Sequence, residues 1–289
     1  DMITDDAPAS AQYLSGLHNV MSDSALDPAY RALMLNLPSQ SDLARNLYDA
    51  GVTPDPGKIW DAVEALRDAQ AETLADDLHD LYESHQVSGE YRPDAEQSGK
   101  RALANAALSL LARRGATQVA QYQYDTANNM TQQIAALAVL LRHDQGEAAL
   151  QAFQSQWKAD RLVMDKWFGL QVMQARPDAA AATAQALTEH PDFNWKNPNR
   201  FRAVMGALAM HHAGFHAKSG EGYNLLADWL IRLDPVNPQT TARMCSAFQT
   251  WRRYDEHRQD QIAAALDRIL GTQNLSRDTT EMLTRIRGN

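Results

Sequence analysis

One cysteine, Cys245, stands in 289 residues, so no intrachain disulfide can form. A reducing compartment or indifference to redox follows, and the cytoplasm is the expected setting. No apolar run approaches the roughly 18 residues of a membrane span, so no membrane partner is expected. The start, Asp1-Met2-Ile3-Thr4-Asp5-Asp6, has neither the basic region nor the apolar core of a signal peptide. It also has no initiator Met, and a piece of something longer is the expectation. Positive charge is short overall: 27 Lys and Arg against 36 Asp and Glu leave a net charge of -9. Nucleic-acid binding draws most of its affinity from phosphate contacts on a broad basic surface, so that class is set aside.

Chemistry-bearing motifs are missing too. There is no His-Glu-x-x-His, the pattern that places two imidazoles and a general base on one helical face. Gly-x-Ser-x-Gly and phosphate-loop patterns are absent, and Gly220-Glu221-Gly222 reads as a turn. Of nine histidines only His211, His212, His216 and His257 cluster. His212 and His216 are four apart, but Gly214 is read as breaking the helix that would aim both at one metal. Cys245, between Met244 and Ser246, reads as a small core residue. No catalytic residue and no metal ligand is therefore assigned.

What the chain does have is helical periodicity. Hydrophobic residues make up 44% and charged residues 22%, an ordinary balance for a folded protein with a sizeable core. Helices are predicted at 28–37, 40–49, 56–84, 101–114, 118–126, 130–142, 146–158, 162–174, 179–189, 259–270 and 276–286, with nothing strand-like between them. In the longest, Ile59, Val63, Leu66, Leu74, Leu78 and Leu81 recur at helical spacing. Its acids, Asp61, Glu64, Asp68, Glu72, Asp76, Asp77 and Asp80, read as a solvated face. Asn129 and Asp178 are expected N-caps. Ala-rich faces such as Ala104, Ala107 and Leu108 suit close helix pairs. The expected fold is all-α, a superhelical stack of paired antiparallel helices of the armadillo or HEAT kind, an α-solenoid. The polar connector 86–99 divides it into possible subdomains 1–90 and 91–289.

Positive charge gathers in one place. From Asn197 to Arg258 there are eight Lys and Arg (among them Arg200, Arg202, Arg243 and Arg258) against five Asp and Glu. Asn197-Pro198 and Asn237-Pro238 each open a helix there, and Gln239 and Arg243 share a face at a spacing of four. Two readings stand. The arginines bind a carboxylate through their planar forks, or they make ion pairs within the fold.

Six separated strings then agree with one family: Asn128-Asn129-Met130-Thr131; Leu162 to Phe168; Asn197-Pro198-Asn199-Arg200 with Arg202 and Gly206; Phe215-His216-Ala217 with Gly220, Gly222 and Tyr223; Asn237-Pro238-Gln239 with Arg243; and Arg253-Tyr254-Asp255 with Arg258-Gln259. In this order, from about residue 26 to the end, they resemble the C-terminal domain of bacterial aminopeptidase N, in the zinc gluzincin aminopeptidase family. The resemblance implies a parent metalloaminopeptidase that removes N-terminal residues from peptides. Its zinc lies in an upstream catalytic domain of the same chain, and this part has no cofactor of its own. It implies that this part is inactive alone and caps the active-site chamber, with Arg202, Gln239 and Arg243 as substrate-binding residues on the primed side. Trp167, Phe168 and Tyr254 read as packing. The alternative is a stand-alone helical-repeat scaffold for a protein partner.

Overall fold

The computed structural model describes residues 1–288. Among these there is no strand, and the fold is an all-α solenoid of paired helices. The chain gathers into two compact units. One comprises Asp1–Pro38 and Trp60–Ser155; the other comprises Ser39–Ile59 and the chain from Gln156 onward. Residues 86–99 fall inside the first unit.

In the first unit the helix Ala95–Arg113 is the centre, packed by Pro28–Met34, Leu78–Glu83, Thr117–Thr126 and Met130–Arg142. Leu103, Ala104, Ala107 and Leu108 on it are fully buried. Gly99 admits the neighbouring helix closely: a Cβ there would lie 3.1 Å from the backbone N of Ala29. Side chains start the helices as their sequences direct. Asp94 accepts from the Gln97 N–H at 2.8 Å, and Asn129 from the Gln132 N–H at 3.0 Å. Each satisfies an amide that the helix itself leaves unpaired.

The predicted helix 56–84 is two helices, Pro56–Thr73 and Leu78–Glu83. Between them the Ala75 and Asp77 amides bond three residues back, to Glu72 and Leu74, which tightens the turn. Leu74 and Leu78 are fully buried on either side, so the apolar spacing survives the break and hides it from a periodicity reading. The acids are not one solvated face either. Glu64 is partly buried between Arg113 (2.6 Å) and Arg142 (2.9 Å), and Arg113 also holds Asp68 at 2.6 Å. Burial alone would push the Glu64 carboxyl up; the two guanidinium groups outweigh it and hold the group below the ordinary carboxylate range.

In the second unit the helix Glu221–Leu233 packs on Glu256–Leu270, Ala180–Thr188 and Pro238–Met244, and Pro238–Met244 also packs on Arg277–Arg287. Tyr223, Leu226, Ala227, Leu230 and Leu233 supply its buried face. Asp234, 2% exposed at the end of that helix, accepts from the Ser276 N–H at 2.7 Å and the Ser276 hydroxyl at 2.6 Å. The Thr279 hydroxyl donates to it as well, at 2.5 Å. One carboxylate thus joins the end of one helix to the start of the last. Asp178 caps nothing: the helix Ala180–Thr188 follows Ala179 with no side-chain cap. Nor does Gly214 break its helix, since His212–Phe215 runs through it. The glycine is there for proximity, because a Cβ would lie 2.5 Å from that of Ala180.

Candidate functional site

The basic stretch resolves into cations with different duties. Arg200 is buried: its guanidinium lies over the Phe168 ring at 4.5 Å, with Nε donating to Asp165 at 2.5 Å. Arg258, 2% exposed, donates to the His216 carbonyl at 2.7 Å, pairs with Asp255, and has Asp55 3.8 Å away. Arg232 stacks over Trp195 and Trp229, 4.7 Å from each ring. Arg252 donates to the Ile286 carbonyl at the end of the last helix, at 3.0 Å. Arg200 and Arg258 make the ion pairs of the structural reading, while Arg232 and Arg252 are held by aromatic rings and a backbone carbonyl instead.

The three predicted substrate-binding residues lie elsewhere, on exposed positions. Asn237 opens the helix Pro238–Met244 by accepting from the Thr240 N–H at 3.0 Å, and Gln239 and Arg243 then project from one face at a spacing of four. Neither side chain makes a hydrogen bond or ion pair among the described residues. Arg202 differs. Its guanidinium folds back on its own helix, to the Pro198 carbonyl at 3.2 Å and Asn199 Oδ1 at 2.7 Å. No acid holds it.

Arg202 also begins a π-helical segment, Arg202–Gly206, between the short α-helical pieces Pro198–Phe201 and Ala207–Met210. The Ala207 N–H bonds five residues back, to the Arg202 carbonyl. The widened turn brings the Ala203 carbonyl against Gly169 of the helix Arg161–Gln174, 3.1 Å from where a Cβ would sit. Such segments occur in helices mostly as single widened turns, often at functional sites. The helix-start amides are less available to an anion than the sequence suggests. Asn197 and Asn237 occupy one at each start with their own side chains.

The clustered histidines form a buried polar network. His212 Nε2 lies 3.0 Å from the Tyr254 hydroxyl, and His216 Nδ1 lies 2.8 Å from the Tyr223 hydroxyl. The rings of His212 and His216 are 5.1 Å apart, so they do share a side, but each is committed to a tyrosine. Burial, then Arg258, then His211 push His212 down to about 4. Burial, then His212 and Arg258, push His216 well below the ordinary histidine range. Tyr254 is therefore a hydrogen-bonding member of this network as well as a packing residue. Cys245 is fully buried at the end of Pro238–Met244, where burial first and Asp234 second push its thiol up to about 12, leaving it unreactive. Among the described residues no three His, Cys, Asp or Glu converge on a point where a metal could sit.

The fold is an all-α solenoid that leaves Arg202, Gln239 and Arg243 exposed. Residues 1–288 match the family described as "Domain of unknown function (DUF3458_C) ARM repeats", and the chain belongs to that family. It is 38% identical to aminopeptidase N of Caulobacter vibrioides over 98% of its own length and 33% of that protein's. Against aminopeptidase N of Escherichia coli the identity is 39%, over 92% of this chain and 31% of the relative. Among solved structures, Legionella pneumophila aminopeptidase A, in complex with aspartic acid, superposes with a TM-score of 0.86 at 28% identity, over 96% of this chain and 33% of that one. The chain thus spans about a third of the length of the relatives it matches.

Proposed function

We propose that this chain is the C-terminal part of a zinc metalloaminopeptidase that removes N-terminal residues from peptides, and that it caps the active-site chamber of a catalytic domain in the same polypeptide. Gln239, Arg243 and Arg202 contact the substrate beyond the cleaved bond, and the cytoplasm is the setting. The observation that carries this is the contrast within one basic stretch. Arg200 and Arg258 are buried and paired with Asp165 and Asp255, while Gln239 and Arg243 stand exposed on one helical face without a partner among the described residues. An exposed guanidinium that the fold does not use is available for a peptide carboxylate or carbonyl.

Zinc is implied by the family, and the residues of this chain do not fit it: His212 and His216 are buried against tyrosines. The contribution of this part is to hold the peptide and to exclude water and folded substrates. Membership of a peptidase-associated family, with relatives much longer than this chain, weighs against a stand-alone scaffold.

The test is Arg243→Ala in the full-length enzyme, comparing a tripeptide with an amino-acid anilide, which has little beyond the cleaved bond. Loss of one charged hydrogen bond of about 1.5–3 kcal/mol lowers kcat/KM on the tripeptide by roughly 10- to 150-fold, with the anilide nearly unchanged. Equal losses on both would reject the assignment. Robust zinc-dependent turnover by this chain alone would reject the accessory role.

A further inference from the structure

The motif Asn197-Pro198-Asn199-Arg200 continues through Arg202 to Gly206, and the peptide contacts above use only Arg202 of it. Neither conformation nor packing within the chain asks for glycine at 206. Its backbone is ordinary right-handed helix, with φ -69° and ψ -39°. A Cβ there would touch only the stem of Arg202, with the Arg202 Cβ at 3.4 Å. Glycine inside a helix is less stable than alanine, so the fold alone would favour a methyl group. What glycine leaves is bare main chain beside Arg202, the condition for close approach of another backbone.

Packing decides which side of the segment Pro198–Met210 stays open. It runs parallel to the helix Arg161–Gln174 and in step with it: Arg200 meets Asp165, the Ala203 carbonyl lies against Gly169, and His211 Nε2 is 2.9 Å from the Ala175 carbonyl. Val204, Leu208 and His211 are buried, while Arg202 and Met210 face outward with Gly206 partly exposed between them. Met210 is 75% exposed, more than any other large apolar side chain among the described residues. It stands eight residues after Arg202, and the widened turn absorbs one of them. About two α-helical turns remain, so the two side chains leave the helix within roughly 20° of one direction and roughly 10 Å apart along the axis. A guanidinium held only by neutral oxygens, a bare backbone and a flexible thioether thus stand in one row.

Each member of the row suits a different part of one ligand. The guanidinium takes a carboxylate, the glycine admits a main chain, and methionine adapts to apolar groups of different shape. An extended peptide advances about 3.3–3.6 Å per residue, so the span from Arg202 to Met210 matches three residues ending in a free carboxylate. We infer that Met210 and Gly206 extend the primed-side site: Met210 contacts an apolar side chain two residues before the C-terminus of the peptide, Arg202 takes the terminal carboxylate, and the main chain crosses at Gly206. This rests on the reading of Arg202 as a substrate contact. It adds a preference that charge alone does not give, for a large apolar over a polar residue at that position.

The experiment measures kcat/KM of the full-length enzyme and its Met210→Ser variant on the tetrapeptides Ala-Leu-Ala-Ala and Ala-Ser-Ala-Ala, which differ only at the position in question. Met210→Ser should lower the leucine-to-serine ratio about 5- to 10-fold, the modest end of what apolar contacts discriminate. Gly206→Ala should raise KM for both peptides severalfold while the thermal midpoint of the enzyme stays the same or rises, a combination that a merely structural glycine would not give. An unchanged ratio in Met210→Ser overturns the inference, whether the rates are unaltered or fall equally; an equal fall would assign Met210 to contact with the rest of the polypeptide. Unaltered KM or a lowered midpoint in Gly206→Ala overturns the crossing at Gly206. Arg243→Ala reports separately: if it impairs the tripeptide and spares the anilide while the Met210→Ser ratio is unchanged, the Met210 contact falls and the primed-side reading stands.

Discussion

His212 Nε2 and the Tyr254 hydroxyl, 42 residues apart in sequence, lie 3.0 Å from one another inside a buried network. The neutral imidazole is what this arrangement accommodates. Folding lowers the His212 pKa from 6.5 to about 4, so between those values the unfolded chain binds more protons than the folded one. The linked stability is complete above about pH 6.5 and is lost as pH falls through about 4. At 1.36 kcal/mol per pKa unit the loss is on the order of 3 kcal/mol from His212. His216 is shifted the same way and adds to it. Urea midpoints at pH 7.5, 5.5 and 4.5 should fall steeply in the wild-type chain and less steeply in His212→Gln. Parallel profiles would remove His212 as the cause.

The Glu64 clamp predicts a separate loss at lower pH. Its carboxyl is held below the ordinary value of 4.5, so its contribution is present above that value and disappears as pH falls through the folded one. Glu64→Gln leaves Arg113 with Asp68 alone and Arg142 with the Trp60 ring, 4.3 Å away. Removing one member of this partly buried cluster should cost about 1–3 kcal/mol, read as a lowered urea midpoint at pH 7. The difference from wild type should shrink below pH 4.

Asp234→Ala should be more damaging. Three donors from Ser276 and Thr279 lose their common acceptor in a position shielded from water. A cost of about 3 kcal/mol or more is expected. Hydrogen exchange should show Arg277–Arg287 losing protection before Glu221–Leu233 does. Uniform loss across the second unit would show that Asp234 does not act as a local tie.

Gly214→Ala tests a contact rather than a conformation. The added methyl would meet the Ala180 Cβ at 2.5 Å and His211 Nδ1 at 2.9 Å, so one helix must move. Overpacking of this kind costs about 1–3 kcal/mol, measurable as a lowered midpoint. In a double variant, Ala180→Gly should return part of it.

The parts of the fold that could be read from sequence are those decided within a few residues. Asn129, Asn197, Asn237 and Ser276 cap the helices they precede, because a cap needs only its own side chain and the amides two or three positions on. What escaped was decided at a distance. The break at 74–77 keeps its leucines in register and leaves the apolar pattern unmarked. The widened turn at Arg202–Gly206 lies against Gly169, more than thirty residues earlier. Sorting the arginines required partners equally remote, Asp165 for Arg200 and Asp55 beside Arg258. Composition and spacing alone could mark the basic stretch, and only the packing shows which of its cations are occupied.

The widened turn at Arg202 has a consequence for sequence length. A π-helical turn accommodates one residue more than the α-helical turn it replaces. Deleting one residue between Ala203 and Gly206 would return the segment Pro198–Met210 to an ordinary α-helix and turn Arg202 by about 100° relative to Met210. The direction of this arginine is thus set by residue count as much as by residue type. A one-residue deletion there is a conformational mutation, whichever of the intervening residues it removes.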